Sequence, residues 1–223
     1  MKFLSRSTVI AVFVRQPVAG QVKTRLARDL GAEAACDLYR AMVADSIAQS
    51  GASGMPLVLF YDGDSGGLPT AWVSAATMIY RQEGLSLGDR MAAAFERLFA
   101  DGAGAVVLTG SDIPGMDTEL LQSAAAAVEN HDAVFAPALD GGYCLVAAGV
   151  RRFNRAIFEG IPWSTSSVLS GTLVACEAAG LSYGLLTPRQ DIDTFTDLCA
   201  YCRKPSAAAT ATNAWLMEHG FLK

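Results

Sequence analysis

Three short apolar runs constrain the fold of this chain more than any other feature. They cover residues 8–14, 57–61 and 105–108, where β-branched, aliphatic and aromatic residues follow one another without polar alternation. Such runs are typical of parallel strands that are covered on both faces. Because parallel neighbours need long crossover connections, the segments between these runs are expected to hold helices.

The intervening segments have the spacing of helices with one buried face. Alanine-rich stretches with apolar residues at helical intervals cover residues 32–49, 87–99, 118–129 and 168–179. A later strand is predicted at residues 182–186. This alternation predicts an α/β fold, with a doubly wound, mostly parallel sheet and helices on both faces.

A pair of glycines in the second half predicts a small antiparallel excursion from that plan. Two apolar segments, residues 132–136 and 143–147, bracket Gly141 and Gly142. Two strands separated by a glycine-containing turn are typical of a hairpin, so antiparallel pairing is expected here beside the parallel strands.

The length and composition favour one domain over residues 1–223, with a core at about 8–200 and a helical tail at 205–223. The 17 basic and 22 acidic residues give a net charge of −5, which argues against a nucleic-acid partner. No segment has the roughly 18 to 20 apolar residues that span a bilayer. The first apolar run stops at Arg15 without a cleavage site, so a cytoplasmic protein is expected. The sequence leaves a homodimer open.

A basic turn follows the first predicted strand. Pro17 and Gly20 favour a turn, and Lys23 and Arg25 place two cations next to a predicted helix start. Cations and exposed amides together match the charge of a diphosphate. The turn is neither a Walker loop nor a G-x-G-x-x-G motif, and a solvated basic turn is the alternative interpretation.

Acidic residues are predicted to converge on the same edge of the sheet. Asp112, preceded by Ser111, follows the third strand at its carboxyl end, where open α/β sheets bind their ligands. Mg²⁺ or Mn²⁺ would need oxygen ligands, so a second acid is expected near Asp112, either Asp191 or Asp193. The alternative for Asp193 is a helix cap, and Thr194 is predicted to cap the next helix.

Three further segments are candidate binding elements. The glycine pair between Asp140 and Tyr143 suits either a ligand approaching the backbone closely or a plain hairpin turn. Trp163 with Ser164 and Thr165 offers either a stacking ring beside hydroxyls or a buried ring near a cap. At a third segment, Asp89 could cap a helix and Arg90 could reach a phosphate. With two histidines in the chain, no Ser-His-Asp or Cys-His triad is expected, and catalysis is predicted to depend on metal and electrostatics.

Six motifs follow one another along the chain. They are Pro17-x-x-Gly-x-Val-Lys-Thr-Arg-Leu26, Gly88-Asp-Arg-Met91, Gly110-Ser-Asp-x-Pro114, Pro137-Ala-x-Asp-Gly-Gly-Tyr143, Trp163-Ser-Thr165 and Asp191-x-Asp-Thr194. In this order they resemble bacterial nucleotide-diphospho-sugar transferase-like proteins of the glycosyltransferase A-type fold, a group that includes a family often labelled as arsenosugar-biosynthesis glycosyltransferases. The resemblance runs from Val9 to about Leu198. The same pattern also resembles phospholactate guanylyltransferases and molybdenum-cofactor nucleotidyltransferases.

The resemblance implies roles for these residues. The nucleotide and its phosphates would meet Arg15, Gly20, Lys23, Arg25, Asp89, Arg90 and Ser111. The acceptor would meet Gly141, Gly142, Tyr143, Trp163, Ser164 and Thr165. Asp112 and Asp140 would be catalytic, and Asp112, Asp191 and Asp193 would hold the metal ion. In two places the chain departs from the pattern, since Arg15 stands where lysine is more usual and Asp112 replaces an Asp-x-Asp pair.

Three functional hypotheses follow. The first is glycosyl transfer from a nucleotide-diphospho-sugar to a small-molecule acceptor, assisted by the metal ion. The second is nucleotidyl transfer from an NTP to a phosphorylated acceptor, with release of pyrophosphate. The third is a nucleotide-binding module without turnover. Because a fold alone does not choose between chemistries, the sequence leaves the base, the sugar and the acceptor open.

Overall fold

A computed structural model describes residues 6–223 and contains one seven-stranded sheet. The strands are β1 (Thr8–Arg15), β2 (Leu57–Asp62), β3 (Met78–Arg81), β4 (Ala105–Thr109), β5 (Ala133–Pro137), β6 (Tyr143–Gly149) and β7 (Tyr183–Leu185). Their order is β3-β2-β1-β4-β6-β5-β7. The predicted strands are present, while β3, on one edge of the sheet, was not predicted.

The sheet is mostly parallel, as expected. β1 pairs in parallel with both β2 and β4, and β7 pairs in parallel with β5. Strand β6 is antiparallel to both of its neighbours, β4 and β5. The predicted antiparallel excursion is therefore confirmed, and β6 lies inside the sheet between β4 and β5.

Within residues 6–223, eight α-helices connect and cover the strands. They are α1 (Ala27–Leu30), α2 (Ala32–Ala52), α3 (Thr70–Ala75), α4 (Leu87–Ala100), α5 (Thr118–Ala127), α6 (Val168–Ala178), α7 (Phe195–Arg203) and α8 (Thr210–Glu218), with short 3₁₀ turns at Ser65–Gly67 and Arg155–Phe158. Helices α2, α4, α5 and α6 begin at the residues that the apolar spacing predicted. No helix within residues 6–223 combines the length and apolar composition needed to cross a membrane.

Side chains of β1 alternate between two apolar layers. Ile10 and Val12 pack with residues of α2, α5, α7 and α8 on one face of the sheet. Val9 and Ala11 pack with residues of α4 and α6 on the other face. Because both faces are covered, β1 has the continuous apolar sequence of a central parallel strand.

The strand order places a crevice at the carboxyl end of β1. The chain leaves β1 toward β2 on one side, whereas β4 joins β1 on the other side. Ligands in open α/β sheets bind where the strand order reverses in this way. Because β6 is antiparallel, its amino end lies at the same edge of the sheet, so the Asp140–Tyr143 turn opens onto this crevice.

A buried carboxylate attaches the C-terminal tail to the sheet domain. Asp45 of α2 is 3% exposed and accepts hydrogen bonds from the backbone N–H groups of Ala211 and Thr212, both at 2.8 Å. These donors lie in the first turn of α8, which has no intrahelical partners for them. The tail is therefore held by a side-chain cap from a distant helix.

Replacing Asp45 with alanine should leave these N–H groups unpaired in a buried place. We expect the free energy of unfolding to fall by about 1–2 kcal/mol, measured by urea denaturation. The control is Asp37→Ala on the same helix, which removes only an exposed ion pair with Arg40 and should cost less than about 1 kcal/mol. Equal losses in the two variants would show that the cap does not stabilise the tail.

Candidate functional site

A cleft at this edge of the sheet consists of two adjoining chambers. The larger, of about 640 Å³, is lined by Phe13, Met91, Asp140, Tyr143, Trp163 and Asp191 among others. The smaller, of about 350 Å³, is lined by Arg15, Lys23, Tyr39, Asp62, Gln82 and Arg90 among others. Leu87, Asp112 and Asp193 line both chambers and so mark their junction.

Lys23 is the buried cation of the cleft. Its side chain is 4% exposed, and Nζ donates to Asp112 Oδ2 at 2.9 Å and lies 3.7 Å from Asp193 Oδ1. Its backbone is in the left-handed region, with φ at 48°. A non-glycine residue persists there only where the surrounding structure holds it, and such residues concentrate at functional sites.

The 191–193 segment is tied to the end of β4 through its middle residue. The N–H of Ile192 donates to the carbonyl of Asp112 at 3.1 Å, and the Ile192 side chain is fully buried. Asp191 and Asp193, on either side of it, line the cleft. Asp193 also accepts from Arg25 Nη1 at 3.0 Å. The predicted convergence of the distant acids with Asp112 is thus present, with Lys23 between Asp112 and Asp193.

The predicted phosphate-binding arginines separate in space. Arg15 and Arg90 line the smaller chamber and share Asp62, at 3.5 and 3.2 Å. Arg25 is exposed and lines the larger chamber beside Asp193. The predicted helix start beyond the basic turn is α1, which has only four residues.

Tyr39 is a site residue that the sequence analysis missed. Its hydroxyl accepts from the Arg15 backbone N–H at 2.8 Å and lies 3.3 Å from Ser111 Oγ. Burial raises the pKa of Tyr39 to about 12, so the hydroxyl stays protonated. It joins the ends of β1 and β4 under the smaller chamber. Its position in the apolar pattern of α2 indicated only a core residue.

Gly141 and Gly142 allow the turn before β6 to pack closely against the loop that contains Ser166. Gly141 has φ at 93°, and a Cβ there would collide with the backbone carbonyl of Ser166. The Gly141 carbonyl accepts from Leu169 N–H at 3.0 Å, and Asp140 Oδ1 accepts from Gly142 N–H at 2.9 Å. The glycines are therefore explained by a tight turn and a backbone contact, while Asp140 and Gly142 line the larger chamber.

Trp163 both packs and lines the larger chamber. Its ring meets Tyr143 edge-on, with centroids 6.3 Å apart, and a Cβ on Gly88 would lie 2.8 Å from it. Ser164 and Thr165 line the same chamber, and Ser164 has φ at 64°. The two interpretations of Trp163 are thus compatible, because the ring is half-buried and still borders the cavity.

Two predicted nucleotide-binding residues lie away from both chambers. Ser86 is the N-cap of α4, and Asp89 closes its capping box and pairs with Arg155 at 3.1 Å. Gly20 lies in the exposed turn after β1 with φ at 78°. Neither residue lines the cleft.

The carboxyl groups of Asp112 and Asp191 differ in how easily they ionise. Burial opposes ionisation of Asp112, but attraction to Lys23 outweighs it and lowers the Asp112 pKa. Burial, with repulsion from Asp112 and Asp140, raises the pKa of Asp191 to about 6. Asp191 has no salt bridge within residues 6–223, and attraction to Lys23 offsets only part of the increase in its pKa.

The three predicted metal ligands differ in how many of their carboxylate oxygens are already paired with a cation. Both oxygens of Asp193 face cations and Asp112 has one oxygen on Lys23, whereas in the described part of the chain no cation lies within salt-bridge distance of Asp191. Across residues 6–223 no cluster of three or more histidine, cysteine or acidic side chains is set for a metal ion. Mg²⁺ commonly takes only one or two carboxylates together with substrate phosphates, so Asp112 and Asp191 fit such an ion better than Asp193 does.

Comparison with known proteins identifies the family. Residues 45–165, more than half of the chain, match the family described as "Uncharacterized protein conserved in bacteria (DUF2064)". The chain belongs to this family. None of the curated proteins to which it was compared matches it.

Solved structures confirm the expected fold. A candidate nucleotide-diphospho-sugar transferase from Desulfovibrio desulfuricans G20 is 35% identical, with a TM-score of 0.89 and coverage of 97% of this chain and 96% of that chain. A 4-diphosphocytidyl-2C-methyl-D-erythritol synthase from Anaerococcus prevotii is 10% identical, with a TM-score of 0.59 over 96% and 100% of the two chains. A nucleotidyl transferase from Methanothermobacter has a TM-score of 0.59 at 13% identity, over 96% and 100%. At these low identities the last two show the shared fold alone.

The raised pKa of Asp191 predicts a pH-dependent effect of Asp191→Asn on stability. A carboxyl whose folded-state pKa lies above its usual 3.8 stabilises the fold only while protonated, below about pH 4, and this contribution is lost as pH rises through about 6. In metal-free buffer at pH 8, the free energy of unfolding of the variant should exceed that of the wild type by about 1–2 kcal/mol, because Asp191 is partly exposed and solvent screens part of the effect. The gain should vanish by pH 4.

Thermal or urea unfolding at several pH values measures this difference. Glu129→Gln, which removes an exposed charge just before the amino end of β5, controls for the loss of one negative charge. A gain in Asp191→Asn that is constant from pH 4 to 8 would contradict the assigned environment of Asp191.

Proposed function

We propose that the protein is a transferase that uses a nucleotide-diphospho-sugar and passes the sugar to a small-molecule acceptor. The observation that carries this proposal is the buried ammonium of Lys23 in the smaller chamber, 2.9 Å from Asp112, which lines both chambers. The 35% identity to the Desulfovibrio protein, itself a candidate nucleotide-diphospho-sugar transferase, supports the same donor class.

The chambers suit the two halves of such a donor. Three cations, Arg15, Lys23 and Arg90, line the smaller chamber, where the nucleotide and its phosphates would bind. The adjoining larger chamber has room for a sugar ring and an acceptor. The diphosphate would then lie near Lys23, with the bond to the sugar directed into the larger chamber.

In the proposed reaction the bond between the sugar C1 and the terminal phosphate oxygen breaks, and an acceptor hydroxyl oxygen bonds to C1. The hydroxyl proton goes to Asp140, a carboxylate that lines the larger chamber, and the nucleoside diphosphate leaves. Negative charge grows on the leaving phosphate oxygen during this step. Lys23 is placed to stabilise that charge, since a fixed cation in a partly dry site needs no reorganisation as the bond breaks.

A divalent ion is also part of the proposal. Mg²⁺ or Mn²⁺ would be held by Asp112 and Asp191, and when bound it would offset charge on the donor diphosphate. Burial and then repulsion from Asp112 and Asp140 raise the pKa of Asp191, and a bound divalent ion would offset that repulsion. Arg25 holds Asp193 at the side of the larger chamber and so shapes the acceptor side.

The test is release of nucleoside diphosphate from a panel of UDP-, GDP-, ADP- and dTDP-sugars with Mg²⁺ or Mn²⁺, beside the matching NTPs. Turnover of one nucleotide-sugar supports the proposal. Pyrophosphate release from an NTP, without turnover of any nucleotide-sugar, would favour nucleotidyl transfer instead. Binding of a nucleotide without either product would favour a binding module.

Lys23→Met and Asp112→Asn test the named residues. We expect kcat to fall by about 10²–10³-fold in Lys23→Met, because one fixed cation is removed from the developing charge. Asp112→Asn should abolish turnover. Lys204→Met, at the exposed end of α7, is the matched control and should keep full activity.

Circular dichroism and unfolding curves should show that the variants remain folded. Full turnover by a folded Lys23→Met protein would exclude the proposed role of this ammonium, and full turnover by Asp112→Asn would exclude that of Asp112.

A further inference from the structure

The larger chamber has an extended apolar wall. Phe13 of β1, Leu87 and Met91 of α4, Tyr143 of β6 and Trp163 all line it. Leu87 is 47% exposed although it is apolar. Apolar side chains from three secondary-structure elements and a loop therefore meet at one cavity. Such a wall binds a ligand that presents an apolar face, including the C–H face of a sugar ring against Trp163.

Cations on this side of the cleft are already paired. Of the described residues that line the larger chamber, Arg25 is the only cation, and Asp193 binds it at 3.0 Å. Two acids of the same chamber, Asp140 and Asp191, have no salt bridge with any residue in 6–223. The lining thus offers acceptors for O–H or N–H groups and no free cation for an anion.

The smaller chamber has a different charge balance. Among the described residues that line it, three cations, Arg15, Lys23 and Arg90, face three carboxylates, Asp62, Asp112 and Asp193. In the larger chamber one cation faces four carboxylates, so the lining stays negative even with a divalent ion bound at Asp112 and Asp191. Two unit charges of the same sign a few ångströms apart repel by several kcal/mol at the effective dielectric of a protein surface, so a second phosphate beside Asp140 and Asp191 is disfavoured.

We infer that the acceptor is an unphosphorylated molecule, neutral or cationic, with an apolar face and a hydroxyl group. This inference rests on the proposed glycosyl transfer and names its acceptor class. The apolar face packs against Met91, Tyr143 and Trp163, and polar hydrogens of the acceptor donate to Asp140 and Asp191. An unphosphorylated acceptor would distinguish this protein from transferases whose acceptor carries a phosphate.

Matched acceptor pairs test the charge requirement. With the nucleotide-sugar that the donor panel identifies and Mg²⁺, nucleoside diphosphate release is measured with glycerol or glycerol 3-phosphate, and with glucose or glucose 6-phosphate. Small molecules extracted from bacterial cells are also separated on an anion exchanger into an unretained and a retained fraction. Each fraction is then tested in the same assay. Release without acceptor gives the background of donor hydrolysis.

We expect the neutral partners and the unretained fraction to stimulate nucleoside diphosphate release. The phosphorylated partners and the retained fraction should stimulate this release at least about tenfold less. In the Asp140→Arg variant, the rate with a phosphorylated partner divided by the rate with its neutral counterpart should rise about tenfold. Glu129→Arg, outside the cleft, should leave this ratio unchanged.

The outcomes separate this inference from the proposed function. If phosphorylated partners or the retained fraction stimulate nucleoside diphosphate release as strongly as the neutral partners do, the inferred acceptor class is wrong. The proposed glycosyl transfer would be unaffected by that result. Stimulation by no partner and no fraction also counts against the acceptor class. If no nucleotide-sugar is turned over, or if an NTP yields pyrophosphate, the proposed function fails and the inference fails with it.

Discussion

The ion pair between Lys23 and Asp112 is the interaction on which the candidate site depends. It joins the basic turn after β1 to the loop after β4, across 89 positions of sequence. The same ammonium lies 3.7 Å from Asp193, so a third segment meets the other two. A buried ammonium without such partners would lose its hydration uncompensated, and the pair therefore fixes how these three segments approach one another.

The antiparallel position of β6 gives the site its second half. If β6 ran parallel to β4, its amino end and the Asp140–Tyr143 turn would lie at the opposite edge of the sheet. Its reversed direction brings Tyr143 beside the end of β4, and the backbone contact between Gly141 and Ser166 holds the neighbouring loop with Trp163. The fold thereby places a chamber lined by three cations and three carboxylates beside an apolar and acidic chamber, to which β1, α4 and the second half of the chain all contribute.

Local patterns predicted the scaffold, and non-local contacts decided the details of the site. The starts of α2, α4, α5 and α6 and the Thr194 cap of α7 follow from apolar spacing and capping chemistry within a few residues. The burial of Lys23 and the bridge from Tyr39 to Ser111 depend on partners 72 or more positions away, which no local pattern reveals. Asp89 was assigned to a nucleotide because an acid near a helix start suits either a cap or a ligand, and here the capping box satisfies it.

The central claim is that the ammonium of Lys23 meets the donor diphosphate. The chain has four lysines, Lys2, Lys23, Lys204 and Lys223, so selective ¹³C and ¹⁵N labelling of lysine gives a spectrum simple enough to assign by substitution. On titration with the UDP-, GDP-, ADP- and dTDP-sugars in the presence of Mg²⁺, the account predicts that one donor shifts the Lys23 side-chain resonances and leaves those of Lys204 and Lys223 in place. A nucleotide-sugar that binds and is turned over without any change at Lys23 would contradict it.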